Sequence, residues 1–288
     1  DILEKLKSEG YSGYCWGYNF PWQNRERFLP IYTPTIVNTS FIGHAFLDAH
    51  ESLGIGQYLD IAKSSCQFIL EDLRPVLETE NELCLSYTPY DEERIYNSNM
   101  LGASLLARVY QHTRDERLLS SAKRIVNFVR NAQRPDGSWY YGEARTQTWI
   151  DIFHTGFVLE GLFDYMTATA DMQILPVIEK GLQFFKNNFF LQDERMKLWH
   201  DKNYPIDIHS VQAIIVLVKL RNIQDSYHLL KNITSWMIDH MQDKKGYFYF
   251  RKERFLYNKI SYMRWSQSWA LHALTTYLQY LKEHNTND

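Results

Sequence analysis

Two aspartate–histidine pairs carry residue types and spacings suited to acid–base chemistry: Asp151 with His154, and Asp207 with His209. A carboxylate beside an imidazole orients the ring and raises its basicity. The first pair is three positions apart in the segment WIDIFHTGF, and the second repeats the arrangement at a spacing of two. Each pair also has a structural reading, in which the aspartate caps a helix and the histidine is a buried ring bonded to a neighbouring loop. Both readings stand at this point. Asp151 and Asp207 could alternatively flank a sugar as acid and base or nucleophile of a glycosidase. A third scheme makes His154 or Tyr262 the proton acceptor and donor, with Arg264 or Asn99 neutralising a substrate carboxylate. That scheme suits β-elimination or C5 epimerisation of a uronic acid.

Aromatic residues make up 15% of the chain, including eight Trp and twenty Tyr, and many fall between the helices. Trp16, Trp22, Tyr87, Trp139, Trp199 and Trp265 are candidate stacking platforms for the apolar faces of sugar rings. Gln23 and Arg25, beside Trp22 in NFPWQNR, would add polar contacts. The same rings could equally tie adjacent helical hairpins together.

The elements that must position these residues are helical, since apolar residues recur with helical period and strand alternation is scarce. Ser40, Ser98, Thr155, Ser210 and Ser266 stand as candidate N-caps, spaced 58, 57, 55 and 56 residues apart. A serine or threonine suits that position because its hydroxyl accepts an orphan backbone N–H. Near-equal intervals of this kind indicate an internal repeat. Each cap is expected to open an apolar inner helix of about four turns. Outer helices follow at roughly 56–72, 116–132, 171–190 and 224–241, half solvated like the one carrying Leu118, Ala122, Ile125 and Val129. Short aromatic stretches, 13–20, 82–90, 137–143, 197–204 and 246–252, read as extended pieces or hairpins. The expected fold is all-α: an α/α toroid of repeated helical hairpins with small hairpin-like aromatic loops. One domain, 1–288, is expected. It would hold five pairs closed by a first helix at 1–9 and a last at 266–282, or six with an N-terminal hairpin beyond the chain. The inner helices would then start at one mouth, bringing the residues before the caps together.

The net charge is −3 and no block of five or six like charges occurs, which speaks against a nucleic-acid arm or a polybasic patch. No apolar run is long enough to span a bilayer. No signal peptide is evident, so a cytoplasmic location is expected, or a periplasmic one if a leader has been removed. Cys15, Cys66 and Cys84 are odd in number and lack C-x-x-C spacing, so buried thiols are expected, with no metal site and no cofactor.

QRPDGSW (Gln133–Trp139) resembles the repeat motif of triterpene cyclases and related α/α toroids, which ties an outer helix to its neighbour. The D-x-D-D segment of the cyclases is absent, which leaves an isoprenoid cyclase as a distant alternative. The segments GYNFPWQNR, TPTIVNTSFIGHAFLDAHE, WIDIFHTGFVLEGL and MRWSQSW together resemble polysaccharide biosynthesis proteins of the VpsJ type. The resemblance implies a helical toroid that helps make or modify a bacterial surface polysaccharide. An oligosaccharide or polysaccharide would be its ligand, and other proteins of that machinery candidate partners. The chemistry expected is that of a lyase, epimerase or hydrolase, with a non-catalytic glycan-binding or scaffold protein as the alternative.

Overall fold

The repeat read from spacing governs the helices. The computed structural model describes residues 2–23, 27–193 and 195–285, residues 284 and 285 by backbone alone. After the single turn α1 (Ile2–Lys5), helices alternate: α2 (Ile36–Leu53), α3 (Gly56–Glu71), α4 (Tyr96–Thr113), α5 (Glu116–Asn131), α6 (Ile152–Thr169), α7 (Leu175–Asn188), α8 (Gln212–Lys219), α9 (Tyr227–Met241) and α10 (Ser268–Asn285). The expected helix at 1–9 shrinks to one turn because the chain folds back: Ser8 N–H donates to the Cys15 carbonyl at 2.8 Å.

The Ser/Thr markers lie inside the helix entries, not at their caps. Thr35 caps α2, its side chain accepting the Asn38 N–H, while Ser40 is buried further in. α4 starts after Ile95, and the Ser98 hydroxyl bonds back to the Ile95 carbonyl. Asp151 accepts the His154 N–H at the start of α6, and Thr155 donates to the Asp151 carbonyl. Asp207 caps the 3-10 turn Ile208–Val211 ahead of α8, and Tyr262 precedes the π-helical turn Met263–Gln267 ahead of α10. The Ser98 and Thr155 hydroxyls bond to carbonyls three and four residues back, as first-turn hydroxyls can, so these two mark helix entries without capping them. α8 also ends after eight residues, short of the expected four turns.

The chain divides into two compact units. One comprises Asp1–Gln133, Tyr140–Thr148 and Gly161–Leu175; the other comprises Arg134–Trp139, Trp149–Glu160 and Pro176–Asp288. In the first, α4 is buried on every side from Tyr96 to Ala107, whereas α5 buries only a stripe through Leu118, Ala122, Ile125 and Val129. That contrast separates core helix from wrapping helix. α2 packs on both α3 and α4. A Cβ on Gly43 would lie 2.6 Å from Leu105 Cδ2, so glycine lets α2 and α4 approach closely. Strands β1 (Trp22–Gln23) and β2 (Phe28–Leu29) pair here, as do β3 (Pro75–Glu78) and β4 (Leu83–Leu85), all antiparallel.

In the second unit α8 packs on α9 and α10. Trp139 is buried against α7, where a Cβ on Gly181 would meet its ring at 2.7 Å. Strands β5 (Ile206–Asp207), β6 (Arg251–Lys252) and β7 (Tyr257–Asn258) form one antiparallel sheet, with Asp207 opposite Arg251 and Lys252 opposite Tyr257. Cys15, Cys66 and Cys84 are buried thiols, and burial pushes Cys15 and Cys84 up to about 12. Among the described residues no helix is long and apolar enough to cross a membrane.

Candidate active site

Both aspartate–histidine pairs lie in the second unit at helix entries. Asp151 is 4% exposed at its side chain, and its Oδ2 lies 2.6 Å from His154 Nδ1. Its Oδ1 accepts the His154 backbone N–H at 2.8 Å, and Oδ2 also accepts Trp149 Nε1–H at 3.2 Å. Burial by itself would raise the Asp151 carboxyl, but the charge and hydrogen bonds of His154 hold it below the usual aspartate range. An ionised carboxylate only accepts hydrogen bonds, so His154 Nδ1 carries the proton. Nε2 is therefore the nitrogen that would exchange protons with a substrate.

Asp207 is 2% exposed, and its Oδ1 lies 3.0 Å from His209 Nδ1. The same oxygen accepts the His209 N–H at 2.9 Å. Oδ2 accepts Nε–H and Nη2–H of Arg251 at 2.9 and 2.7 Å, a contact set up by the β5–β6 register. Burial opposes ionisation here too, yet hydrogen bonds from His209, its charge and that of Arg251 keep the Asp207 carboxyl low.

One side chain joins the pairs. The Phe153 ring lies 5.5 Å from the His154 ring and 4.8 Å from the His209 ring, centroid to centroid. Trp269 meets Phe153 edge-on at 5.2 Å. His209 continues to Trp265 at 5.3 Å, Trp265 stacks on Phe250 at 5.7 Å, and Tyr262 touches both Trp265 and Phe250. The Arg264 guanidinium lies 5.1 Å from the Trp265 ring. Residues separated by more than a hundred positions thus share one aromatic wall. The half-buried rings of Phe153 and Trp265 and the exposed Tyr262 are faces on which a sugar's C–H groups can pack.

No family model matches the sequence, and no curated protein does. Solved structures match its fold over nearly the whole chain. A cellobiose 2-epimerase from Bacillus thermoamylovorans is similar with a TM-score of 0.79 at 16% identity, covering 98% of this chain and 80% of that one. A D-mannose isomerase matches with a TM-score of 0.71 at 12% identity, over 97% and 81%. A family 76 α-mannanase from Bacteroides thetaiotaomicron matches at 0.67 and 14%, over 94% and 78%. The chain has the α/α-toroid fold. At such identities the likeness speaks for the fold alone.

The remaining expected site residues divide by burial. Trp199 is half-buried, and its backbone forms a bridge with Asp151, next to the first pair. Trp139 has no open face, being packed on Gly181. In the first unit Trp16 is enclosed, its Nε1–H donated to the Leu3 carbonyl and its ring on Phe46. Asn99 is fully buried: Oδ1 accepts the Leu85 N–H, and Nδ2 donates to the Leu85 and Ile95 carbonyls. Its amide latches β4 onto α4, which corrects its expected place at a substrate. Tyr87 is covered by the Arg27 guanidinium 3.8 Å from its ring, and burial raises its phenol above the usual range. Trp22 is half-buried against Tyr18, and Gln23 is exposed on β1. Arg25 lies outside the described residues. Phe153, Phe250 and Arg251 escaped the sequence reading, although Phe250 and Arg251 lie in the aromatic stretch 246–252 that it marked. Among the described residues no group of three or more His, Cys, Asp or Glu is arranged to hold a metal ion.

Proposed function

We propose that this chain is a sugar epimerase or isomerase that moves a proton at a carbon next to a carbonyl, with His154 and His209 as the acid–base pair. The observation that carries it is two imidazoles flanking one phenyl ring, each fixed through Nδ1 by a buried, ionised aspartate. In a ring-opened sugar one Nε2 takes the proton from the carbon next to the carbonyl. The enediolate so formed takes a proton from Nε2–H of the second histidine, entering as imidazolium, on the opposite face of the same carbon to give the epimer, or takes the first proton back at the neighbouring carbon to give the isomer. The aspartate stabilises the imidazolium formed in between, and such positioned acid–base catalysis contributes about 10²–10⁴-fold. Trp265 and Tyr262 serve as the stacking wall, and Arg264 meets the sugar's polar rim. Fold-level likeness to a cellobiose 2-epimerase and a D-mannose isomerase supports this as analogy.

The fold is shared with mannanases too, so hydrolysis is the second reading. The aspartates favour it less. A glycosidase needs one carboxyl kept protonated by a raised pKa. Here both are lowered and already accept hydrogen bonds from histidine. A setting in surface-polysaccharide production, with a glycan or its sugar precursor as substrate, rests on the sequence segments that resemble VpsJ-type proteins. The test is incubation in deuterium oxide with D-mannose, D-glucose, cellobiose and uronate oligosaccharides. Deuterium at C2 with epimer or keto sugar formed is the expected result. New ultraviolet absorbance alone would replace the proposal by elimination, and new reducing ends alone by hydrolysis.

A further inference from the structure

The β6–β7 hairpin has a tip that no packing within the protein explains. Phe255 is 82% exposed and Leu256 72% exposed, and Met263, just beyond the hairpin, is 79% exposed. Large apolar side chains protruding together mark an interaction surface. Cations dominate this stretch of sequence: residues 251–264 contain Arg251, Lys252, Arg254, Lys259 and Arg264 against one acid, Glu253. In the linear sequence these are no block of like charge. Antiparallel pairing of Lys252 with Tyr257, and the turn closed by Glu253 N–H on the Leu256 carbonyl, bring Lys252, Arg254 and Lys259 onto one hairpin. Arg251 is committed to Asp207, whereas Arg254 lies over the Phe255 ring at 5.0 Å, next to the tip. Behind the tip sits a tyrosine collar: Tyr249 lies 5.9 Å from Tyr257, with Lys259 over Tyr249 and Lys252 over Tyr257.

From this layering we infer that the hairpin docks on an anionic lipid surface. Phe255 and Leu256 would enter the acyl boundary, and Arg254 and Lys259 would meet lipid phosphates. Tyr249 and Tyr257 would lie at headgroup level, where amphipathic rings are stable. The tip is convex. A bilayer conforms to a convex apolar tip, whereas a protein partner must supply a matching pocket. The rest of the chain carries a net negative charge, so an anionic membrane orients the molecule hairpin first. This inference is independent of the acid–base reading, since Phe255, Leu256, Arg254 and Lys259, on which it rests, have no part in that site.

Vesicle flotation with the purified 288-residue chain tests it, using three-to-one phosphatidylcholine–phosphatidylserine vesicles and pure phosphatidylcholine vesicles. The expected result is flotation with the anionic vesicles, weakened by salt and weak on phosphatidylcholine. Each cation near the surface gives about a fivefold gain in partitioning. The double variant Arg254→Glu/Lys259→Glu therefore loses about tenfold or more, and so does Phe255→Ser/Leu256→Ser for lack of its apolar anchor. Both variants change exposed side chains, and an unchanged thermal melt checks their fold. Three results overturn the inference: no flotation of the unaltered chain, flotation untouched by both double variants, or lipid-independent capture of the hairpin by a protein.

Discussion

At the scale of single residues, the proposed acid–base pair depends on which histidine nitrogen is left for a substrate. Asp151 hydrogen-bonds His154 Nδ1 and Asp207 lies 3.0 Å from His209 Nδ1, so in both rings Nε2 is the nitrogen turned from the aspartate. Replacing either histidine removes a proposed proton carrier and leaves the helix entry intact, because the aspartates also accept main-chain N–H groups. His154→Gln and His209→Gln are each expected to lower kcat by about 10²–10⁴-fold while the circular-dichroism spectrum is unchanged. Full turnover in either variant removes that ring from the acid–base pair. The aspartates and histidines were legible in the sequence because one polar device recurs at corresponding repeat positions. Phe153 was not, since an apolar residue at a helix start reads as core. Arg251 was missed for another reason: only the β5–β6 pairing brings it to Asp207, 44 positions away.

At the scale of elements, the helix period was legible and the helix starts were not. Ser40, Ser98, Thr155, Ser210 and Ser266 share a similar offset from the true starts, so their intervals survive although each lies three to five residues late. The cap itself varies in type, from Thr35 to Asp207 to the uncapped Ile95, which hides it from any rule based on residue identity. Aromatic side chains were ambiguous for a related reason. Type alone does not separate Trp265, with an accessible face, from Trp16 and Trp139, which are enclosed. The Trp139–Gly181 contact gives a direct test of the motif QRPDGSW as a packing device. Gly181→Ala places a methyl within 2.7 Å of a buried indole and 2.9 Å of Leu159. Overpacking of this kind costs about 1–3 kcal/mol, seen as a lower urea midpoint. An unchanged midpoint would show that the indole shifts without cost.

At the scale of the whole molecule, two buried anions couple folding to pH. The Asp151 and Asp207 carboxyls are held below their unfolded range, so the unfolded chain binds protons more readily. Their contribution to stability is complete above the ordinary aspartate pKa and is lost as pH falls through the depressed values. Acid titration followed by tryptophan fluorescence is expected to unfold the protein cooperatively below the ordinary aspartate range. In Asp151→Asn/Asp207→Asn the dependence of stability on pH is expected to flatten there. An identical acid slope in that variant would assign the transition to other carboxyls. The recurrence of the aspartate–histidine device at two helix entries has a further consequence. An enzyme that inverts a carbon centre needs equivalent groups on two sides of a planar intermediate. Under the proposed epimerase reading, a chain that repeats one hairpin supplies that pairing by repetition, one histidine from each of two helix entries.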